Sequence, residues 1–280
     1  MKKRITIIRP VWFRLAALML ALVVFSLAAC QSGPQGYKSN PEAIALNEQG
    51  IELYNQGSLD KAVLYFDRAL EKDPSNPAVY FNKGQALDAM KKFDQAIASY
   101  DQAVQLDPNF ADAWNYRGVS YFNKSQYDKA IESADKAIAI NGNIAAYWES
   151  KGEIYRAQEK FKEAVPCYAK AASLEPGNAD LWDRLTYAQM KSLLYEDVLK
   201  STDKSISLVS TNAFPWGYKA KALHELRRYD EAIVAFDRAL ALDPDNPALW
   251  YSKGLTLETL KRNTEAKKCY DKARSLGYQF

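Results

Sequence analysis

The sequence predicts an all-α solenoid of seven 34-residue helix-turn-helix repeats, and three observations carry that prediction. The first is a period. Lys83-Gly84-Gln85 recurs as Lys151-Gly152-Glu153 and Lys253-Gly254-Leu255, at successive spacings of 68 and 102 residues, two and three times 34. The second is a fixed phase of large and small apolar residues within each unit. The third is punctuation by proline near the end of four of the periods, where a helix has to stop.

The elements follow in order. Lys2, Lys3, Arg4, Arg9 and Arg14 precede an apolar run of thirteen residues from Leu15 to Leu27. That run is short of the roughly 20 residues a spanning helix needs, so residues 1–29 read as a targeting leader and stay outside the fold argument. The run stops at Leu27-Ala28-Ala29-Cys30, which resembles the lipobox of prokaryotic lipoproteins. The resemblance implies that Cys30 carries lipid and that the rest of the chain is extracytoplasmic. In a Gram-negative host it would face the periplasm from the outer membrane, and otherwise it would lie on the outer face of the cytoplasmic membrane. Residues 31–42 are polar and rich in Gly and Pro, a linker with a reach of roughly 20 Å.

Seven units then fill 43–76, 77–110, 111–144, 145–178, 179–212, 213–246 and 247–280. The first helix of each carries a large apolar residue at its fourth position: Leu46, Tyr80, Trp114, Trp148, Trp182, Trp216 and Trp250. Four residues later stand Gly50, Gly84, Gly118, Gly152, Thr186, Ala220 and Gly254. The second helix carries Ala62, Ala96, Ala130, Ala164, Val198, Ala232 and Ala266. Small residues at fixed places let two helices approach closely while the rings fill the space between units. Pro74, Pro108, Pro176 and Pro244 end second helices, and Asn76-Pro77 and Asn246-Pro247 supply an N-cap and a first-turn proline. Asp60, Asp94, Asp128 and Asp230 stand where second helices should start, as caps and as charges favourable to the helix dipole.

Repeat five departs from the pattern with Thr186, Gln189, Val198, Thr202, Ser205 and Ser210, and is expected to loosen first. Repeat seven puts Lys267, Arg274 and Asn263 at packing positions that are mostly apolar elsewhere, as expected of a solvent-facing cap.

Removing the five leader cations leaves 32 cations against 34 acids, so the repeats have no basic bias and nucleic acid is not an expected partner. His224 is the only histidine, which leaves no multi-ligand metal site and no expected cofactor. Cys167 and Cys269 share one repeat position three units apart, too distant to pair. Ser201-Thr202-Asp203-Lys204 has the Ser-x-x-Lys form without its companion motifs, and no Gly-rich phosphate loop is present. The repeats use up the chain, so an enzyme is not expected.

This pattern of Trp, Gly, Ala and Pro resembles the tetratricopeptide repeat family over residues 43–280. It departs from the family at the residue before the glycine, usually leucine, which is here Lys83, Arg117, Lys151, Lys219 or Lys253. The resemblance implies a right-handed superhelix with the first helices lining a concave groove. Carried over by position, that groove presents Asn47, Ile51, Tyr54, Phe81, Gln85, Asn115, Val119, Phe122, Tyr187 and Tyr251, with Glu149, Glu153, Arg156, Lys221 and His224 among them. Amides beside rings suit an extended peptide. The implied function is a membrane-tethered adaptor for a protein or peptide partner in envelope assembly, monomeric in isolation. The alternative is an extracytoplasmic receptor in which Tyr54, Phe81, Phe122 and Tyr187 stack on a glycan or cell-wall fragment. The Lys/Asn clamp that some relatives use for chaperone C-termini is absent, since Asn47, Ile51, Phe81, Gln85, Asn115 and Val119 hold its places.

Overall fold

A computed structural model describes residues 40–280. The leader, Cys30 and the linker as far as residue 39 lie outside the described residues. Fourteen helices run in seven antiparallel pairs: α1 Pro41–Asn55 with α2 Leu59–Lys72, α3 Pro77–Ala89 with α4 Phe93–Leu106, α5 Ala111–Asn123 with α6 Tyr127–Ile140, α7 Ala145–Ala157 with α8 Phe161–Leu174, α9 Ala179–Lys191 with α10 Tyr195–Leu208, α11 Ala213–Glu225 with α12 Tyr229–Leu242, and α13 Pro247–Thr259 with α14 Asn263–Ser275. No strand occurs among the described residues, and no helix there is long and apolar enough to cross a membrane. The architecture is an all-α repeat solenoid.

Local chemistry sets the ends. Asn76 and Asn246 cap α3 and α13 by accepting from the N–H groups of Ala78 and Ala248, with proline in the first turn. Asn40 caps α1 in the same way ahead of Pro41, so helix begins two residues before the expected start of repeat one. The second helices correct one expectation. Asp60, Asp94, Asp128 and Asp230 lie inside the first turn, and the capping positions Ser58, Lys92, Gln126 and Arg228 make no side-chain cap. The carboxylates therefore act on the helix dipole alone.

The pair is closed by a tight turn. Its residue with positive φ is Gly57 in repeat one but Lys91, Ser125, Glu159, Leu193, Arg227 and Lys261 in the others. The next N–H reaches back five residues, as from Lys92 to the Leu87 carbonyl at 2.8 Å, which satisfies the frayed end of the first helix. In repeats one, two, four and seven, a ring from the second helix lies on the glycine of the first. A Cβ on Gly84 would stand 2.5 Å from Cε1 of Tyr100, so this ring position requires glycine, whereas repeat six buries Phe236 with Ala220 at the same place.

Between pairs runs a ladder the sequence does not announce. Lys83 meets Asp67, Arg117 Asp101, Lys151 Asp135, Lys219 Asp203 and Lys253 Asp237, at 2.5–2.6 Å, each cation reaching the second helix of the preceding repeat. This explains the cation that replaces the family's leucine. Repeat five keeps leucine there, and Leu185 packs on Ala169 instead. Indole N–H groups tie the loops down: Trp114, Trp148, Trp182 and Trp250 donate to the carbonyls of Pro108, Gly142, Pro176 and Pro244 at 2.8–3.1 Å. Trp216, which follows Ser210 where a proline is expected, makes no such bond.

Curvature follows from which layer touches. Successive first helices come into backbone contact with each other, and successive second helices do not in the same degree, so the first helices form the inner layer. The pair α7 and α9 alone among the inner neighbours approaches less closely. Lys267, Arg274 and Asn263 lie exposed on α14, and Cys167 and Cys269 are buried free thiols, the former raised to about 11 by burial.

Candidate functional site

The inner layer places one side chain of each first helix beside one of the next, in a row of rungs. The first rung is Asn82 Nδ2 donating to Asn47 Oδ1 at 2.9 Å. In the second, Tyr116 meets Phe81 edge-on with centroids 5.3 Å apart, and Gln85 lies beside the Tyr116 hydroxyl. The third is missing. Asn115 is 7% exposed, and its Oδ1 has no partner. In the fourth, Arg184 bridges Glu149 at 3.2 Å and also pairs with Glu153. In the fifth, Tyr218 packs against Tyr187 at 6.2 Å.

Three environments follow along this row. Under repeats one to three, the Asp88 carboxylate accepts from Tyr100 at 3.0 Å and from Ser120 at 2.8 Å, facing Tyr54 and Tyr116. Burial pushes its pKa up to about 6 against those two donors. Burial likewise pushes the Tyr116 phenol to about 12. In the middle, Glu153 is 7% exposed and corrects the expectation of an open groove carboxylate. It accepts from Tyr168 at 2.7 Å and from Arg156 at 2.6 and 2.8 Å, besides Arg184. Burial works to raise it, but Arg184 and Arg156 outweigh that and hold it below the usual range.

Under repeats five and six, the rings Phe161, Tyr187, Tyr218 and Phe214 follow one another at 5.7, 6.2 and 4.5 Å. Lys191 stands over Phe161 and Tyr187, and Lys221 stands 5.4 Å from the Tyr218 centroid. Burial, then the charge of Lys191, lowers the Lys221 ammonium.

The sequence-derived residues therefore share one face but not one cluster. Ile51 and Tyr54 are half-buried against the Leu46–Phe66 core. Phe81 is held by Tyr100, Phe110 and Tyr116, so it serves the core as well as the face. Val119 is half-buried, and Phe122 leans on Tyr127. Tyr251 is covered by Tyr278 and Phe280 at 5.0 and 4.6 Å. Asp88, Tyr116, Ser120, Lys191 and Tyr218 escaped the sequence reading. They occupy positions next to the carried-over ones, and only the column of facing residues in adjacent repeats would have flagged them. Among the described residues, no group of His, Cys, Asp and Glu is placed to hold a metal.

Models of the tetratricopeptide repeat match residues 50–90, 81–150, 145–178, 220–261 and 247–276. No curated protein matches the chain. Among solved structures, part of a repeat-containing protein from Cytophaga hutchinsonii is similar at 14% identity and TM-score 0.68, covering 82% of this chain and 95% of that one. Pseudomonas aeruginosa PilF is similar at 16% identity and TM-score 0.59, covering 79% and 97%. A tetratricopeptide repeat protein from Parabacteroides merdae is similar at 16% identity and TM-score 0.57, covering 86% and 95%. These likenesses show the fold. Repeat matches spread through the array, on an all-α solenoid with these helical pairs, place the chain in the tetratricopeptide repeat family.

Proposed function

We propose that the chain is an interaction scaffold that binds an extended polypeptide along its inner layer of first helices, tethered outside the cytoplasmic membrane by lipid on Cys30 and acting in envelope assembly. Asn115 supports the first part most directly. A buried amide oxygen without a donor is costly, and a passing backbone N–H would satisfy it in the way Asn82 satisfies Asn47. The rings on either side, Phe81 and Phe122, offer apolar surface for alternate side chains of the same strand. The leader and lipobox-like Leu27-Ala28-Ala29-Cys30 support the tether.

A photo-crosslinking residue at Val119 tests the groove, with one at Leu64, 56% exposed on α2, as control. Peptide-bearing adducts from Val119 and not from Leu64 are expected, and equal yields would refute the reading. For the tether, Cys30→Ser should abolish both lipid mass and membrane retention.

A further inference from the structure

The half-buried Lys and Arg side chains of the first helices almost all meet an anion of this chain. Lys83, Arg117, Lys151, Lys219 and Lys253 pair with aspartates, and Arg156 and Arg184 with Glu153. Lys221 is the exception: it is half-buried, stands over the Tyr218 ring and has no ion pair among the described residues. Gly217 and Ser252, two repeats beyond Glu149 and Arg184 in the same register, carry no charge, and the Lys191 ammonium adds repulsion. Next to Lys191, the Ser192 hydroxyl is 9% exposed and has no partner, in a recess that Phe161 and Leu193 also line. Glu159 and Glu163 on the recess rim are exposed and pair with neither lysine. An ammonium drawn partly out of water without a counter-charge is unfavourable, and an incoming anion removes that cost.

Resting on the groove as a polypeptide site, we propose that Lys221 and Lys191 bind side-chain carboxylates of an acidic, aromatic-containing segment. Phe161, Tyr187 and Tyr218 hold its apolar residues, and the Ser192 hydroxyl is a donor within reach of the recess. The far end of the groove enforces direction. Asp88 and Asp112 lie there, engaged only by Ser and Tyr hydroxyls, and they repel an acidic stretch. The acidic part of the segment therefore lies on repeats five and six.

The test is fluorescence anisotropy on the full chain with a fluorescein-labelled, C-terminally amidated peptide of alternating Phe and Glu, and with its Gln-for-Glu isostere. The wild type should bind the Glu peptide about tenfold tighter than the Gln peptide, the worth of one charged hydrogen bond. Lys221→Met should abolish that preference without lowering the melting temperature, and Lys221→Arg should keep it. Equal affinities on the wild type, or a preference that survives Lys221→Met, would overturn the proposal. So would a Gln peptide with a free C-terminus that matches the Glu peptide, since the site would then read chain ends. Binding of neither peptide also overturns it. Crosslinking at Val119 then decides separately whether the groove itself takes polypeptide.

Discussion

In repeat two, the fully buried ring of Tyr100 lies against Gly84, and its hydroxyl donates to Asp88. In repeat five, the same two places are Thr202 and Thr186, and no ring is present. Thr186 donates to Ser201 at 2.8 Å, Ser201 to Gln189 at 2.7 Å, and Thr202 to the Val198 carbonyl at 2.8 Å. Ser205 and Asn212 both donate to Asp183, at 2.6 and 2.8 Å. One pair of helices is held by dispersion around a ring and the other by hydroxyls that bond one another. The backbone accepts either, provided the volumes at the two positions are complementary and no buried polar group is left over. The irregularity of repeat five thus shows at its junctions more than in its interior. Leu185 on Ala169 replaces the ion pair, α7 and α9 stand apart and are bridged by Arg184, and Trp216 lacks the bond that secures the other loops.

The sharpest way to break this comparison is Arg184→Met. It leaves Glu149 without a cation and Glu153 with Arg156 alone, and loss of one partner of a partly buried pair costs about 3 kcal/mol, the low end of the buried range. Denaturant unfolding reads this directly, and a loss under about 1 kcal/mol would mean that the bridge does not hold the junction. Next comes volume: Thr202→Phe should cost about 2 kcal/mol by overpacking against Thr186. Adding Thr186→Gly should recover most of it, restoring the ring-on-glycine arrangement of repeat two. If the double variant is no better than the single, the two positions are not the complementary pair.

Repeat two also buries a carboxylate, Asp88, as repeat five does with Asp183, and burial raises both. The folded pKa of Asp88 is raised to about 6 from the usual 3.8, so the folded state binds its proton more readily than the unfolded chain. Stability should therefore rise as pH falls from about 6 towards 4, by on the order of 2 kcal/mol. Asp88→Asn should flatten melting temperature over that window. Hydrogen exchange then compares the regions whole: amides in 186–210 are expected to exchange ahead of those in 111–140, and equal protection would remove the soft repeat. The smallest effect is a gain. Leu193 is 67% exposed with φ of 62°, a backbone region that costs a side chain about 1 kcal/mol, so Leu193→Gly should stabilise by that amount in a melt.

Much of the array was legible in advance because its determinants are local. Period, phase, proline stops and the asparagine caps act within a few residues, and Gly84 with Tyr100 follows the same 34-residue register as its counterparts in other repeats. The cation before the glycine was visible as a departure from the family, but its reason was not. Asp67 stands 16 residues before Lys83, on the preceding repeat, and meets it only once the two repeats stack. The aspartates at the second-helix starts were read one step too far, since acid in a first turn and acid at a cap look alike until the backbone is seen.

Position along the chain decided which side chains stand on the inner helices; it did not decide which of them remain free for a partner. Tyr251 is covered by neighbouring rings, Phe81 is shared between core and face, Glu153 is held by two arginines, and the Asn115 amide oxygen has no partner. Lys219 and Lys221 make the same point two residues apart. At about 100° per residue they leave the helix towards different faces. One meets Asp203 across the junction, and the other faces Tyr218 with no counter-charge. A residue's own identity and helical phase set the direction in which it points. What waits in that direction is supplied by another helix, as Asp203 is for Lys219 from the preceding repeat, and only the stacked array brings the two together.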